Sequence, residues 1–374
     1  MNEQAGKLLA FALLPMIGSD ALASDGDGGA QAEVSGYIAA GVDHYGAFHD
    51  EDGEESTTRG VLRNAKLQVE LAWGDAWEAE IDGGYEIEGD NKDAELGDAY
   101  VQYNGPDRLA VRLGQFKEPF GMERLTSYSS LSTGERSMAT SAFAPGRSLG
   151  VMVGQYRKSS TWALGLFSDE RKPEDGSAVT ARFSRAPVRS EDQVLHLGAA
   201  ASWRQHREEE FQIKDEAEVF SADNVVRSPR FEARESRLAG VEAGWQFHRL
   251  TVTAEVMAQE VRRKGGEWWR FTGGYVQAGL LLTDDQRPYE RGEFKRIKPK
   301  SNGGALELVA RYSAVDLRDR SIGAEASVTT GGLNYYLGKD IQLRLNYLMP
   351  EISGNRLSPD PGGNAATLRL VYRF

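Results

Sequence analysis

The sequence has no cysteine and no apolar run long enough to cross a membrane as a helix. Among its 374 residues, the absence of cysteine excludes a disulfide framework, a thiolate metal site and a cysteine nucleophile. A mean hydropathy of −0.49 excludes a bundle of transmembrane helices. It does not exclude a membrane β-barrel, whose strands alternate lipid-facing and lumen-facing residues and so average out as polar.

The N-terminus has the pattern of a secretory signal peptide. Lys7 precedes ten mostly apolar residues, 8–17, and an A-x-A motif ends at Ala23. We expect residues 1–23 to be the signal peptide, with cleavage after Ala23, because the alternative of a core helix explains the A-x-A motif less well. Residues 24–33 are then a flexible lead-in. Its Asp and Gly residues loosely resemble a calcium loop but lack the later ligands, so we expect no metal and no cofactor.

From Val34 onward, period-2 segments of roughly 7–14 residues alternate with Gly, Asn, Asp or Pro. In residues 341–347, Ile, Leu, Leu and Tyr alternate with Gln, Arg and Asn. Because Arg costs about 2–4 kcal/mol at the lipid midplane, the charged face should point into a wet lumen. We predict sixteen strands, which begin near residues 34, 60, 77, 95, 109, 148, 160, 179, 193, 236, 250, 271, 304, 326, 341 and 366.

A soluble β-sandwich would alternate as well, but three features favour a membrane barrel over residues 34–374. Short connections alternate with long ones, and the long ones lie near 48–58, 117–147, 205–235 and 349–365. Aromatic residues such as Trp73 and Trp77 stand at strand ends, as girdles do. The last strand ends on Phe374, which resembles the signal read by the outer-membrane assembly machinery. The connection 283–303 is long where a short turn is expected.

Two stretches resemble the phosphate- and polyphosphate-selective porin O and P family. They are Arg-Leu-Gly-Gln-Phe-Lys-Glu-Pro-Phe-Gly-Met-Glu at 112–123 and the motifs between Tyr275 and Tyr312. The resemblance covers residues 36–374 and implies a homotrimer of all-β, 16-stranded antiparallel transmembrane β-barrels with infolded constriction loops. In this sequence those loops correspond to 117–147, 205–235 and the long turn 283–303.

The resemblance implies a porin for small anions, most plausibly phosphate or polyphosphate. Arg suits phosphate because its planar guanidinium donates two parallel hydrogen bonds. The candidate pore-lining and anion-binding residues are Arg112, Lys117, Arg124, Arg136, Arg147, Arg227, Arg230, Arg296, Lys298, Lys300 and Arg344. Inward acids such as Glu78, Glu80 and Asp82 leave open, for any single Arg, that it forms a structural ion pair instead of lining the pore. The run of basic residues at 295–300 fits either the lumen or a solvated periplasmic face.

Other functions are weaker expectations. A general porin for other small hydrophilic solutes is the main alternative. A barrel enzyme is disfavoured because the five His show no paired spacing and neither G-x-S-x-G nor H-E-x-x-H occurs. The loops are too short for an adhesive domain. The expected location is the bacterial outer membrane, with lipid and lipopolysaccharide as neighbours, the assembly machinery as a partner through Phe374, and no nucleic acid. The acidic run 50–55 should be a solvated loop, and bridging of lipopolysaccharide through divalent cations is a weaker possibility.

Overall fold

The computed structural model describes residues 30–46, 49, 56–88, 91–168, 176–319, 322–354 and 363–374. The predicted signal peptide, the possible calcium loop and the acidic run 50–55 lie outside these residues. In the described part of the chain, no helix is both long and apolar enough to cross a membrane.

Sixteen antiparallel strands form one closed barrel, as predicted. The predicted starts differ from the observed ones by at most five residues. The barrel strands are β1 (Gln31–Tyr45), β2 (Thr57–Trp73), β3 (Trp77–Glu88), β4 (Asn91–Asn104), β5 (Leu109–Lys117), β6 (Arg147–Tyr156), β7 (Ser160–Ser168), β8 (Gly176–Arg189), β9 (Gln193–Phe211), β12 (Phe231–Phe247), β13 (Leu250–Arg263), β14 (Trp268–Leu281), β17 (Ala305–Asp316), β18 (Ala324–Leu337), β19 (Ile341–Gly354) and β20 (Ala365–Arg373). Two short hairpins lie outside the wall: β10 (Lys214–Asp215) with β11 (Val226–Arg227), and β15 (Tyr289–Glu290) with β16 (Glu293–Phe294).

The first and last strands close the barrel. β1 pairs antiparallel with β20, and Gly36 and Phe374 exchange backbone hydrogen bonds of 3.0 and 3.1 Å. Inside the seam, Arg369 donates to both oxygens of Asp43 at 2.5 and 2.9 Å, and both residues are fully buried. Closure leaves no unpaired strand edge in the hydrocarbon, where an unsatisfied backbone group would cost several kcal/mol.

Side-chain alternation divides each strand between lipid and lumen. On β19, Leu343, Leu345 and Tyr347 are 40–49% exposed on the outer face, whereas Arg344 and Asn346 are buried inside. Aromatic rings gather at the short-turn end: Trp73 stacks on Trp77 with centroids 6.1 Å apart. The outer surface therefore has the apolar band and aromatic girdle of a membrane barrel.

Within the described residues, three long connections fold into the lumen. Loop 3 (residues 118–146) contains the helices Met122–Leu125 and Met138–Phe143 and a 3-10 turn at Tyr128–Ser130. Loop 5 (residues 212–230) contains β10 and β11. The infolded segment (residues 282–304), with β15 and β16, joins β14 to β17 and explains the oversized turn.

These connections build a core inside the barrel. Phe120 and Met138 of loop 3 and Val219 of loop 5 are fully buried together with the wall residues Met257 and Phe271. This packing fills the lumen along much of β12–β20. The open passage therefore runs along the opposite wall, from β2 to β8.

Candidate functional site

A water-accessible cavity of about 1040 Å³ lies between the wall β2–β8, loop 3 and the infolded segment. Eleven basic and eight acidic side chains line it in the described part of the chain, so its lining carries an excess of positive charge although the whole chain is at −12. The basic ones are Arg63, Lys66, Arg108, Arg112, Lys117, Arg124, Arg136, Arg147, Arg182, Arg291 and Lys295.

Buried carboxylates anchor the first turn of loop 3. Glu255 on β13 accepts hydrogen bonds from the backbone N–H groups of Met122 and Glu123 at 2.9 and 2.7 Å, and from the Tyr275 hydroxyl at 2.8 Å. Glu118, at the start of the loop, accepts two bonds of 2.9 Å from Arg204 on β9. Charge-assisted bonds of this kind hold the loop at a defined depth in the lumen.

Across the lumen, two wall arginines hold loop 3. Arg311 on β17 contacts Glu123 at 3.1 Å and also binds Glu218 of loop 5, so it joins the two loops. Arg344 on β19 donates to the carbonyl oxygens of Tyr128 and Thr133 at 2.9 and 3.3 Å. Loop 3 therefore crosses the barrel from β5 to the opposite wall.

Hydrogen bonds and ion pairs tie the infolded segment to the inner wall and to loop 3. The Tyr289 hydroxyl lies 2.7 Å from His196 Nδ1 on β9, and Arg182 on β8 donates to the carbonyl oxygen of Gly292. Arg287 reaches Ser132 of loop 3 and Glu307 of β17, both at 2.6 Å. The segment thereby places Arg291, Glu293 and Lys295 in the cavity lining.

At the start of loop 3, basic side chains are held by backbone carbonyls. Lys117 Nζ donates to the carbonyl oxygens of Arg124, Leu125 and Thr126 at 3.0–3.5 Å. Arg136 donates to the same Thr126 oxygen at 2.9 Å, and Arg124 donates to that of Pro145 at 3.0 Å. Carbonyl dipoles orient these groups without cancelling their charge. We call Lys117, Arg124 and Arg136 the basic cluster.

Two members of the basic cluster lack a neutralising partner. Within the described residues, no carboxylate forms an ion pair with Lys117 or Arg136. Burial and the nearby charge of Arg124 lower the pKa of Arg136 to about 10, which leaves its guanidinium charged at pH 7. The cluster therefore carries net positive charge beside the passage.

Arg112 is displayed from β5 by an aromatic support. Its guanidinium lies 3.8 Å from the Tyr100 ring centroid, and its Nε donates to Gln102 at 2.9 Å. Gln102 in turn donates to Glu78 at 3.1 Å. Cation–π stacking and the amide fix the position of Arg112 in the cavity lining.

Five other lining cations form ion pairs: Arg63, Lys66, Arg147, Arg182 and Lys295. Arg147 binds Asp98 at 3.0 Å, and Lys66 binds Asp82 at 2.6 Å. Carboxylate oxygens of Glu80, Asp82 and Asp98 lie within 4.8 Å of one another, and the two pairs compensate two of these three acids. The passage therefore has an acidic wall on β3–β4 facing basic groups of β5 and loop 3.

The remaining predicted residues lie away from this cavity. Arg344 is fully buried behind loop 3, and Arg296 is buried on the side of the infolded segment that packs against the wall. Lys298 and Lys300 are exposed on that segment. In loop 5, Arg227 donates to the Asn224 carbonyl at 2.6 Å, and the exposed Arg230 pairs with Glu210 at 3.0 Å.

Six lining cations were not among the predicted site residues: Arg63, Lys66, Arg108, Arg182, Arg291 and Lys295. The alternation of side chains along β2 identifies Lys66 as inward, because Lys66 stands between the apolar residues Ala65 and Leu67. Arg63 lies at the register shift between Leu62 and Ala65, which interrupts the alternation of β2.

Residues 33–374 match the family described as phosphate-selective porin O and P. The chain is 30% identical to an uncharacterized protein of Caulobacter vibrioides, over 72% of this chain and 60% of that protein. It is 20% identical to porin O of Pseudomonas aeruginosa, over 91% of this chain and 88% of that protein.

Solved structures share the fold. The trimer form of OmpT, an outer membrane protein of Vibrio cholerae, superposes with a TM-score of 0.61 at 8% identity, covering 92% of this chain and 99% of that one. An anion-selective porin of Comamonas acidovorans gives a TM-score of 0.58 at 14% identity, covering 92% and 100%. The family match and the closed barrel place the protein in the bacterial outer membrane, and the chain belongs to the phosphate-selective porin O and P family.

Proposed function

We propose that the protein is a channel for passive diffusion of small anions across the outer membrane, with phosphate or polyphosphate as the preferred solute. The observation that carries this is the basic cluster, whose charge is oriented by carbonyl groups beside the passage. The porin O relative and the anion-selective structural neighbour support the same chemistry.

Several weak sites in series suit conduction, because the solute must bind and then leave. Arg112 lies five residues before Lys117 on β5, whereas Arg147 on β6 is the register partner of Lys117. These lining residues therefore place positive charge at two successive levels of the passage. One unit charge at 4 Å contributes about 1 kcal/mol in bulk-like water, so selectivity requires several charges acting together in a narrow passage.

The acidic wall supports a second candidate, a weakly selective porin for small hydrophilic solutes. Glu78 and Glu80 line the cavity, and each has an uncharged hydrogen-bond partner, Gln102 or Tyr100. Such acids attract cations and reduce the preference for anions.

Reversal potentials in asymmetric KCl across planar bilayers separate the two candidates. The anion channel predicts that Cl⁻ is favoured over K⁺ and that added phosphate blocks the chloride current. Arg136→Gln should raise the phosphate concentration for half-block about fivefold, which corresponds to about 1 kcal/mol for the charge removed.

Arg230→Gln is the matched control, because it also removes one positive charge but from an exposed pair outside the cavity. It should leave block and selectivity unchanged. A cation-selective reversal potential, or chloride current insensitive to phosphate, would overturn the anion proposal. Weak selectivity that Arg136→Gln does not alter would support the general porin.

We also propose a homotrimer in which each barrel has its own passage, and a role in transport without catalysis. The trimer form of the OmpT neighbour supports the first, and family membership supports the second. Native mass spectrometry of the detergent-extracted protein tests the assembly. A monomer mass under conditions that preserve other porin trimers would contradict it.

A further inference from the structure

The face of the infolded segment that packs on the barrel wall carries a buried guanidinium without an acceptor. Arg296 is 3% exposed, and its Nε, Nη1 and Nη2 have no hydrogen-bond partner among the described residues. Its neighbour Ile297 is fully buried against Leu281 and Tyr336, so this stretch is pressed onto β14 and β18. Arg296 is therefore held in place by packing and not by its own charge.

Two further arginines face the same region. Tyr336, which packs with Ile297, is the register partner of Gln342 on β19, and Gln342 is that of Val371 on β20. Arg344 and Arg373 stand two residues to either side of this level, and their positive charges act on Arg296. Arg344 donates to carbonyl and amide oxygens, and its Nε has no partner in the described structure. The Arg373 guanidinium forms no ion pair within that part of the chain. Arg344 and Arg373 thus flank Arg296 on the inner wall, and among the described residues no carboxylate forms an ion pair with any of the three.

The neighbouring acids do not compensate this charge. Glu307 is engaged by Arg287 at 2.6 Å and by the Tyr336 hydroxyl at 2.6 Å. Asp340, in the β18–β19 turn, raises the pKa of Arg296 by less than Arg373 and Arg344 each lower it. Burial first, then the charges of Arg373 and Arg344, lowers the pKa of Arg296 to about 10, so the side chain is still cationic at pH 7.

A buried charge without a counter-charge is strongly unfavourable. The matching ligand is a small anion with several acceptor oxygens, because planar guanidinium forks bind such groups through paired hydrogen bonds. Arg373 is partly exposed, which leaves the region open toward the end of the lumen where the short turns lie.

We propose that Arg296, Arg344 and Arg373 form a binding site for a tetrahedral oxyanion, phosphate or sulfate, that fastens the infolded segment to β18–β20. This site is separate from the basic cluster of loop 3, and its existence does not depend on the selectivity of the channel. Its role is structural: the bound oxyanion bridges the infolded segment and the wall.

Thermal unfolding of the detergent-solubilised full barrel tests the site. Phosphate is titrated against KCl at constant ionic strength and pH 7, and sulfate is titrated in a parallel series. The wild-type Tm should rise with the logarithm of phosphate concentration, by about 5 °C at a hundredfold excess over Kd. Arg296→Met should abolish this rise. Without phosphate it should be at least as stable as the wild type, because a buried unpaired charge has been removed.

Lys298→Gln is the matched control: it removes one positive charge from the same segment at an exposed position, and it should keep the full phosphate dependence. A wild-type Tm independent of both oxyanions, or an equal rise in Arg296→Met, overturns the proposal. If Arg296→Met does not fold, Arg373→Gln decides, and an undiminished phosphate effect in it counts against the site. Phosphate block of chloride current should persist in Arg296→Met, so failure of the channel proposal shows in a different measurement.

Discussion

Arg311→Met should loosen two constriction loops at once. Arg311 projects from β17 with a side chain 1% exposed and binds Glu123 of loop 3 and Glu218 of loop 5. It also donates to the Glu135 carbonyl oxygen at 2.9 Å. Methionine fills a similar volume but leaves both carboxylates without their cation.

The expected loss in the free energy of unfolding is about 3–5 kcal/mol, because removal of one partner strands a buried charge. The remaining contacts limit the loss. Glu123 still accepts from the N–H and hydroxyl of Ser137 at 3.0 and 2.7 Å, and Glu218 still accepts from the Met138 N–H at 3.2 Å. We expect the lower part of the range.

The loss should depend on pH. Burial raises the pKa of Glu218 above its ordinary value, and Arg311 opposes that rise. In Arg311→Met the pKa of Glu218 rises further, so the folded state binds more protons than the unfolded state between the ordinary and the raised pKa. Stability then falls as pH rises through that window, and the penalty should be larger at pH 8 than at pH 5.

Urea unfolding in lipid micelles, followed by tryptophan fluorescence at pH 5 and pH 8, measures this directly. Adding Glu218→Gln to Arg311→Met should recover part of the loss at pH 8. Arg230→Gln, which breaks an exposed pair, should cost about 0–1 kcal/mol. In single-channel records, Arg311→Met should add current noise as both loops gain freedom.

A loss below 1 kcal/mol at pH 8, together with unchanged channel noise, would refute this reasoning. It would mean that the loops are held by the apolar core around Phe120 and Met138 and not by the Arg311 contacts.

Three further outcomes are expected. Asp43→Asn should lower the temperature at which the folded band disappears on heat-modifiability gels, because the buried Arg369 at the barrel seam loses its closest counter-charge and keeps only Glu135 at 3.8 Å; an unchanged temperature would contradict this. Leu113→Arg, at a residue 64% exposed on the outer face, should destabilise the refolded barrel in lipid by about 2–4 kcal/mol if it lies near the midplane; a neutral result would place it at the interface. Phe374→Ser should reduce assembled barrel in cells more than refolding in vitro, because the side chain is 44% exposed on the outer face; equal yields in cells would exclude a recognition role.

The strands of the barrel wall could be predicted from the sequence, because the alternation of apolar and polar residues depends only on neighbours along the chain. Strand parity follows from adjacent residues, and the cost of charge in lipid decides which face points inward. The alternation in 341–347 therefore predicted both the strand and the inward side of Arg344. Register shifts such as the one beside Arg63 were the exception, because a bulge changes parity without a clear change in composition.

The fate of each inward cation was not predictable in the same way. Strand alternation predicts that Arg112 and Arg344 both point inward. Arg112 lines the water-accessible cavity, whereas Arg344 is buried behind loop 3. The difference depends on which loop packs over which strand, and those contacts join residues more than 200 positions apart, such as Tyr128 and Arg344.

Alternation, turn spacing and the motifs at 112–123 were sufficient for the barrel, its strand number and its family, because each depends on short-range pattern. The position of the passage, the separation of ion-paired from carbonyl-held cations and the buried Arg296 came from the tertiary structure. They depend on where three connections fold inside a closed wall, and the energy of a charge is set by the groups around it in space and not by its neighbours along the chain.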